Sequence, residues 1–297
     1  MKRLILAYNP VSGNASFKNK LDYIIDSFQK RGVVIVPYRT TPDNAVFGEF
    51  AKDTEAEGIL AAGGDGTLHA LVNASMKAKL NLPLGILAGG TSNDFAACLN
   101  LPVPFREGKA AEDYFDRIAR GITQAVDVGK AGDKYFINVA SAGMMTDIAH
   151  KTEPRLKNAL GKFAYYWGGL KELPNFKSMT LSIIADDKEW QVQAFLFVIV
   201  NSPAVGSLKN ISAGIKTDDG KLDLLAVKTC SAAELMRLAR NLFAGKGVDN
   251  NINVLHLAAK KFTVKASSEL IGDLDGEKGS PLPLEVETVP LALRMYY

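Results

Sequence analysis

The sequence predicts an α/β domain over residues 1–125, followed by a mainly β domain over residues 126–297. In the first half, short apolar strands alternate with amphipathic helices, and this order is typical of a mostly parallel sheet with helices on both faces. In the second half, pairs of strand patterns flank short polar turns, which indicates an antiparallel, sandwich-like arrangement. Loops follow several strands of the first half, and we expect them to meet at one edge of the parallel sheet.

The first-half elements follow from apolar spacing and from the residues that end each segment. Residues 17–30 have apolar side chains at helical spacing and predict a helix that ends at Arg31-Gly32. Residues 33–36 form a β-branched strand that is expected to end at Pro37, and residues 43–52 form the next helix. The remaining strands of this half are residues 4–8, 59–62 and 84–88, and each is followed by a loop.

Polar turns organise the second half. Residues 131–134 and 186–188 lie between strand patterns and predict two β-hairpins. Helical insertions are predicted over residues 156–173 and 232–244, and the second begins with a capping box from Ser231 to Glu234. The predicted strands of this half are residues 126–128, 135–139, 180–184, 190–200, 221–227, 262–266 and 284–289.

Composition limits the classes of protein to which the chain can belong. Its 297 residues are 47% hydrophobic and 23% charged, as in folded globular proteins. The net charge of +3 is too small to predict nucleic-acid binding, but it is compatible with transient contact with an anionic membrane. The longest uncharged apolar run, residues 194–200, has the length of a strand. Cys98 and Cys230 lack metal-site spacing, so we expect a reduced, cytoplasmic protein.

The loop Gly63-Gly64-Asp65-Gly66-Thr67 carries the clearest chemical signal. Glycines after a strand let a ligand approach the backbone closely, and amides at the start of the next helix favour an anion. Thr67 is predicted to be the N-cap of that helix. Asp65 would repel a phosphate, so we expect it to contact Mg²⁺ or a ribose hydroxyl; a simple helix-capping Asp is the alternative.

Five short motifs occur in order along the chain. They are NPVSG at residues 9–13, GGDGT at 63–67, GGTSND at 89–94, KTDDGKLDL at 216–224 and DLDGE at 273–277. Together with FAYY at 163–166, they resemble the diacylglycerol kinase catalytic-domain family, most closely its soluble bacterial members. The family is also similar to sphingosine kinases and, more distantly, to NAD kinases. The resemblance covers nearly the whole chain.

This resemblance implies a Rossmann-like, NAD-kinase-like parallel α/β domain followed by an antiparallel β-sandwich-like domain. It also implies ATP and Mg²⁺ as the cofactors. The residues that it assigns to nucleotide binding are Asn9, Pro10, Val11, Ser12, Gly13, Thr40, Gly63, Gly64, Asp65, Gly66, Thr67, Gly90, Thr91, Asn93 and Asp94. Asp94 is interpreted as a helix cap, a metal contact or a group that orients the substrate.

The resemblance assigns a structural Mg²⁺ to Asp219 and the carbonyls of Lys216 and Lys221, whereas an ordinary Asp-Gly turn is the alternative. A lipid hydroxyl is a poor nucleophile, so a carboxylate should accept its proton during transfer. Because the family's base maps to DLDGE, we expect Glu277 to be the base and Asp275 to be the second choice. The third predicted catalytic residue is Asp65.

Several other positions are candidates. Asp127 is either catalytic or a buried Asp paired with a backbone amide, and Asn138 and Ser141 are expected to line the cleft. The apolar stripe of residues 156–173 is either core or a membrane-touching acceptor groove. The family usually has Asn-Glu where this chain has His69-Ala70.

We therefore predict a lipid kinase that transfers the γ-phosphoryl of ATP to diacylglycerol, or to a related lipid alcohol, in a cleft between the domains. Its partner would be a lipid presented at a membrane surface, through transient peripheral contact; no nucleic acid is expected, and a homodimer is left open. The alternatives are an NAD kinase-like enzyme with a soluble acceptor, and a nucleotide-binding regulator without catalysis.

Overall fold

The computed structural model describes residues 1–10, 17, 20–41, 44–90, 93–103, 108–143, 178–206 and 208–297. These residues form two compact units, the first comprising Met1–Val126 and Leu291–Tyr297, and the second comprising Asp127–Pro290. The units differ from the predicted domains 1–125 and 126–297 mainly at the C-terminus, where residues 291–297 join the first unit.

The first unit contains a parallel sheet, as predicted. Its strands are β1 (Lys2–Tyr8), β2 (Val33–Arg39), β3 (Gly58–Gly63) and β4 (Leu84–Ala88), in the order β2-β1-β3-β4. All three strand pairs are parallel. Every residue of β3 and β4 is buried, because both faces of a parallel sheet are covered. The chain changes direction across the sheet at β1, and ligands of such folds bind beside the carboxyl ends of strands at this switch point.

Helices alternate with these strands. They are α1 (Leu21–Gln29), α2 (Phe47–Asp53), α3 (Asp65–Lys77), α4 (Asp94–Cys98) and α5 (Lys109–Arg120). The sequence analysis did not predict α5, although its apolar side chains recur at helical spacing and are buried. Gly121, with φ 77°, ends α5 in the left-handed conformation that glycine adopts without cost.

The predicted end of the second strand at Pro37 is wrong. Strand β2 continues to Arg39, and Pro37 is paired with Leu6 of β1. Among the described strands, β2 has only β1 as a neighbour. Proline is tolerated on an edge strand because its missing amide donor is not needed by a second neighbour.

The second unit is antiparallel. Its strands are β5 (Thr123–Ala131), β6 (Lys134–Phe136), β7 (Val139–Gly143), β8 (Met179–Ala185), β9 (Lys188–Val200), β10 (Leu222–Lys228), β11 (Val254–Ala259), β12 (Lys261–Ala266), β13 (Ile271–Leu274), β14 (Glu277–Pro281) and β15 (Leu284–Tyr296). Strands β7, β9 and β8 lie at the centre of the order β14-β13-β7-β9-β8-β12-β15. Both predicted hairpins, β5–β6 and β8–β9, are confirmed.

One helix, α6 (Ala232–Phe243), is described in the second unit. The predicted capping box is present, because Ser231 accepts the Glu234 amide and Glu234 accepts the Ser231 amide. Leu235 and Leu238 of α6 are buried in an apolar cluster with Val200. The other predicted insertion, residues 156–173, lies outside the described residues. Within the described chain, no helix combines the length and the apolar character needed to cross a bilayer.

The end of β15 completes the first unit. Met295 pairs with Leu84 of β4 in the parallel direction, and both Met295 and Tyr296 are fully buried. A Cβ added at Gly58 would overlap the Tyr296 hydroxyl, and one at Gly85 would lie 3.2 Å from the Tyr296 ring, so Tyr296 occupies space that these glycines leave. Burial raises the pKa of Tyr296 to about 12.

We expect Tyr296→Ala to lower the free energy of unfolding by about 3–5 kcal/mol, because it removes a buried aromatic side chain and leaves a cavity. Urea denaturation measures this. Tyr296→Phe should be close to neutral, because the Tyr296 hydroxyl has no hydrogen-bond partner among the described residues. Tyr297→Ala is the exposed control, and an equal loss in both alanine variants would contradict the placement of Tyr296.

Candidate active site

Hydrogen bonds connect the loops that follow the parallel strands. The amide of Asn9, after β1, donates to the Ala62 carbonyl of β3 at 3.1 Å. Thr40, after β2, donates through its amide and its hydroxyl to the Tyr8 carbonyl, at 3.0 and 3.2 Å. The amide of Gly89, after β4, donates to Gly63 at 3.1 Å. The four loops therefore meet at one edge of the sheet.

The N-cap of α3 is Gly64, so the prediction that Thr67 caps this helix is wrong. Gly64 is extended, and its carbonyl accepts the amides of Thr67 and Leu68 at 3.0 and 3.1 Å. The helix consequently begins at Asp65, and Thr67 lies in its first turn. The buried Thr67 hydroxyl instead accepts a hydrogen bond from Asn9 Nδ2 at 3.4 Å, which ties the β1 loop to α3.

Asp65 connects the two glycine loops. Both of its carboxylate oxygens accept the amide of Asp94, at 2.9 and 3.1 Å. Asp94 is the first residue of α4 and Asn93 is its N-cap, so the interpretation of Asp94 as a helix cap is wrong. Neither carboxylate is deeply buried. The arrangement places two acidic side chains at adjacent helix starts, beside the carboxyl ends of β3 and β4.

The turn that carries Gly90 is held rigidly against the Gly64 backbone. Asn93 Nδ2 donates to the Gly90 carbonyl at 2.8 Å, and the Gly90 amide donates to Asn93 Oδ1 at 3.4 Å. A Cβ at position 90 would overlap the Gly64 Cα and lie 2.7 Å from its nitrogen. Only glycine fits there, because the two loop backbones approach so closely.

These residues fit a metal-bound phosphate. The first amides of α3, such as that of Gly66, have no acceptor inside their own helix and can donate to phosphate oxygens. Asp65 and Asp94 offer the carboxylate oxygens that Mg²⁺ prefers. Pro10 is buried directly after Asn9. Four predicted nucleotide contacts lie outside the described residues: Val11, Ser12, Gly13 and Thr91.

Asp127 is fully buried in the second unit and is held by the KTDDGK turn. Its Oδ2 accepts the Gly220 amide at 2.6 Å, and its own amide donates to the Thr217 carbonyl at 2.7 Å. This is the arrangement of a buried Asp paired with a backbone amide, which was one of its two interpretations. Gly220 has φ 73°, so glycine favours this turn.

The Mg²⁺ assigned to Asp219, Lys216 and Lys221 stays a prediction. Asp219 Oδ1 accepts the Lys221 amide at 3.1 Å, which is also the geometry of an ordinary Asp turn. In the described part of the chain, no group of three or more His, Cys, Asp or Glu side chains could hold a metal. A site built from one carboxylate and two carbonyls does not require such a group.

The β13–β14 hairpin separates the two candidate bases. Asp275 Oδ1 accepts the amides of Asn138 and Val139, and Oδ2 accepts the amide of Ile137, each at 2.9 Å. Glu277 begins β14, and its exposed side chain makes no hydrogen bond or ion pair with any described residue. Accepting a proton would therefore cost Asp275 amide contacts, whereas Glu277 has no such contact to lose.

We expect Asp275→Asn to lower the free energy of unfolding by about 2–4 kcal/mol. The new amide group would face at least one backbone N–H that it cannot accept, and the charge that strengthens the other contacts is lost. Urea denaturation measures the loss. Glu277→Gln, two residues away, should change stability by less than about 0.5 kcal/mol; equal losses in both variants would contradict this distinction.

The sequence analysis missed two residues of the polar network around Asn138. Asn201 Nδ2 donates to the carbonyls of Asp127 and Ile137 at 2.7 and 3.0 Å, and the Ser202 hydroxyl donates to Asn138 Oδ1. Asn138, Asn201 and Ser202 are buried, so Asn138 supports the Asp275 turn. The available signal was a polar Asn-Ser pair directly after the apolar strand β9. Ser141 is partly buried on β7, opposite Asp273.

The departure from the family pattern lies in α3. His69 and Ala70 are partly buried. The Asn73 side chain donates to the His69 carbonyl at 3.0 Å and lies 3.3 Å from its Nε2 atom. His69 therefore belongs to a local side-chain contact of the helix that begins at Asp65.

Comparison with known proteins identifies the family. The diacylglycerol kinase catalytic domain family matches residues 3–131, and the YegS C-terminal NAD kinase beta sandwich-like domain matches residues 138–297. A diacylglycerol kinase from Bacillus subtilis is 32% identical over 289 residues, which cover 96% of this chain and 93% of that protein. A diacylglycerol kinase from Staphylococcus epidermidis is 32% identical, with 95% and 88% covered.

A solved structure agrees in fold. The crystal structure of a diacylglycerol kinase from Bacillus anthracis matches with a TM-score of 0.79 at 23% identity, over 100% of this chain and 96% of that chain. The predicted fold class, parallel α/β followed by antiparallel β, is therefore confirmed. Kinases use a nucleotide as phosphoryl donor, which agrees with the glycine loops at the sheet edge. With both halves of the chain matched and its relatives covered almost completely, the chain belongs to the diacylglycerol kinase family.

Proposed function

We propose that this protein transfers the γ-phosphoryl of ATP to the hydroxyl of diacylglycerol, forming phosphatidic acid and ADP. The observation that carries the proposal is the Asp65–Asp94 contact, which joins two glycine loops at the carboxyl edge of the parallel sheet. The name of the family and of its curated relatives supports the lipid acceptor. A related lipid alcohol is included in the proposal.

The loops of the first unit bind and orient the nucleotide. Residues 63–66 and Gly90 line the phosphate site, where the first amides of α3 would donate to phosphate oxygens, while Asn9 and Thr40 support the neighbouring loops. Asp65 and Asp94 would hold Mg²⁺, which would supply charge neutralisation at the phosphates. Because Asp65 is tied to the Asp94 amide, its carboxylate is already oriented before a ligand arrives, and this lowers the entropic cost of binding.

Glu277 accepts the proton in the transfer step. As the acceptor oxygen forms a bond to the γ-phosphorus, the bond from that phosphorus to the bridging oxygen breaks and ADP leaves. The hydroxyl proton moves to the Glu277 carboxylate, which has no competing hydrogen bond among the described residues. Asp273 and Asp275 position Glu277 by fixing the turn before it: Asp273 Oδ1 accepts the Gly276 amide at 2.8 Å, and Asp275 holds residues 137–139.

Two other functions give different products. An NAD kinase-like enzyme would phosphorylate a soluble acceptor, and a regulator without catalysis would bind ATP and form no product. His69 and Ala70, which stand where the family usually has Asn-Glu, are the residues that favour the regulator.

The test is incubation with γ-labelled ATP and Mg²⁺, with diacylglycerol in mixed micelles or with NAD. We expect label in phosphatidic acid only, and its formation should stop when the metal is chelated. Label in NADP would support the soluble acceptor. ATP binding without any labelled product, across a panel of lipid alcohols and divalent metals, would support the regulator.

A further inference from the structure

An exposed surface of the second unit combines apolar and basic side chains and takes no part in the site described above. We call it the α6 surface; it consists of Met236, Arg237, Arg240, Lys246 and Ile252. The exposed fractions are 49% for Met236 and 82% for Ile252. Large apolar side chains that are exposed among basic ones are a feature of protein and membrane interaction sites.

The helical period sets which residues face outward. Leu235 and Leu238 are buried in the core of the second unit, which fixes the inner face of α6. Met236 and Arg240 are four residues apart and are therefore neighbours on the outer face. Arg237 lies beside Met236 on the same exposed side. Apolar and basic groups consequently alternate along one face of the helix.

Ile252 extends this face beyond the helix. The loop of residues 251–253 lies beside the first turn of α6, because the Asn253 side chain hydrogen-bonds to Glu234. Lys228 Nζ donates to the Ile252 carbonyl at 3.0 Å, which holds that loop in place. The most exposed apolar side chain of the α6 surface is thus supported by a fixed backbone.

The charge of the α6 surface is positive. Glu234, in the first turn of α6, accepts the Ser231 amide and hydroxyl at 2.9 and 2.6 Å and also attracts Arg237, so its carboxylate is occupied within the protein. Asp249 is likewise occupied, since it accepts the Ser212 hydroxyl and the Ala213 amide at 2.6 and 3.0 Å. Arg240 and Lys246 form no ion pair with any residue that the structure describes.

We propose that the α6 surface docks the protein on an anionic phospholipid bilayer. The proposal rests on the proposed function in one respect, namely that the acceptor is a lipid held in a membrane. Apolar side chains enter the headgroup region and the basic residues around them pair with anionic headgroups. A second copy of the chain is a poorer occupant, because a two-fold contact would bring the same arginines together.

Vesicle co-sedimentation without ATP tests this directly. We expect the wild-type protein to bind vesicles of equal parts phosphatidylglycerol and phosphatidylcholine, and to bind pure phosphatidylcholine at least tenfold more weakly. Arg237→Gln with Arg240→Gln should weaken binding to the anionic vesicles about 25-fold, since each basic residue contributes about fivefold. Met236→Ser with Ile252→Ser should weaken it about tenfold or more.

The controls are exposed residues outside the α6 surface. Lys260→Gln with Lys265→Gln, and Val46→Ser, should bind anionic vesicles as the wild type does. Equal binding of the wild type to both vesicle types, or unchanged binding of both α6 double variants, would overturn the proposal. The proposal would also be overturned if light scattering showed that the wild type is a dimer and that the α6 variants lose the dimer but keep vesicle binding.

A kinase assay separates this proposal from the proposed function. With short-chain diacylglycerol in detergent micelles, which do not require docking, the α6 variants should turn over as fast as the wild type. A wild-type protein that binds anionic vesicles but phosphorylates no lipid would refute the proposed function and leave the docking surface standing. A slow α6 variant in micelles would refute a pure docking role.

Discussion

Asp65→Asn is expected to reduce lipid kinase turnover by at least about 10³-fold. In the proposed mechanism, the substitution removes the negative charge that would hold Mg²⁺ at the phosphates, and loss of that electrostatic contribution is worth several kcal/mol in the transition state. Asparagine keeps one oxygen that can accept the Asp94 amide, so the link between the two glycine loops is retained. This makes Asn a cleaner replacement than Ala.

Two measurements accompany the rate. Calorimetric titration should show that Mg²⁺ strengthens ATP binding to the wild type and no longer does so in Asp65→Asn. Asp53→Asn, an exposed substitution in the same unit, is the matched control and should keep both properties. Turnover within tenfold of the wild type would remove Asp65 from the metal site and leave it only the structural role of fixing the Asp94 amide.

Glu277→Gln is expected to lower kcat by about 10²–10⁴-fold with little change in KM for the lipid, as loss of a general base predicts. The side chain is exposed and makes no hydrogen bond or ion pair with the described residues, so the fold should be unaffected. Glu285→Gln, an exposed glutamate on β15, is the matched control and should keep wild-type kcat.

The pH profile distinguishes a base from a merely structural residue. A base must be deprotonated to act, so wild-type kcat should fall as the pH is lowered into the acidic range. The residual activity of Glu277→Gln should lack this acidic limb. A variant that keeps the limb, or that keeps kcat, would transfer the role of base to another residue.

Much of the candidate site was accessible from the sequence because its residues lie on loops that directly follow strands. Glycine and asparagine at strand ends, as in residues 63–66 and 89–94, are local signals, and the parallel sheet brings strand ends together whatever the detailed packing. Residue roles were less accessible. Thr67 was predicted to cap α3, yet Gly64 does so, because the extended backbone at Gly64 moves the helix start to Asp65.

The DLDGE hairpin shows why a motif alone leaves two acids equivalent. Asp275 and Glu277 are both acidic and are separated by one glycine, so the sequence could only rank them. The structure separates them, since the strand pairing of β13 with β7 presents the amides of residues 137–139 to Asp275. The sequence analysis did not predict that Asn201 and Ser202 belong to the same network, because their hydrogen bonds join residues that are 64 positions apart in the sequence.

By itself, the sequence determined the two fold classes, the β5–β6 and β8–β9 hairpins, the glycine loops and the family, because periodicity and turn chemistry act over a few neighbouring residues. Only the tertiary structure decided that Asp65 binds the amide of Asp94, that Asp275 is held by residues 137–139, and that Tyr296 packs against β3 and β4. Each of these contacts depends on strand order and register. Order and register are chosen by how whole faces pack together, and no local pattern encodes that choice.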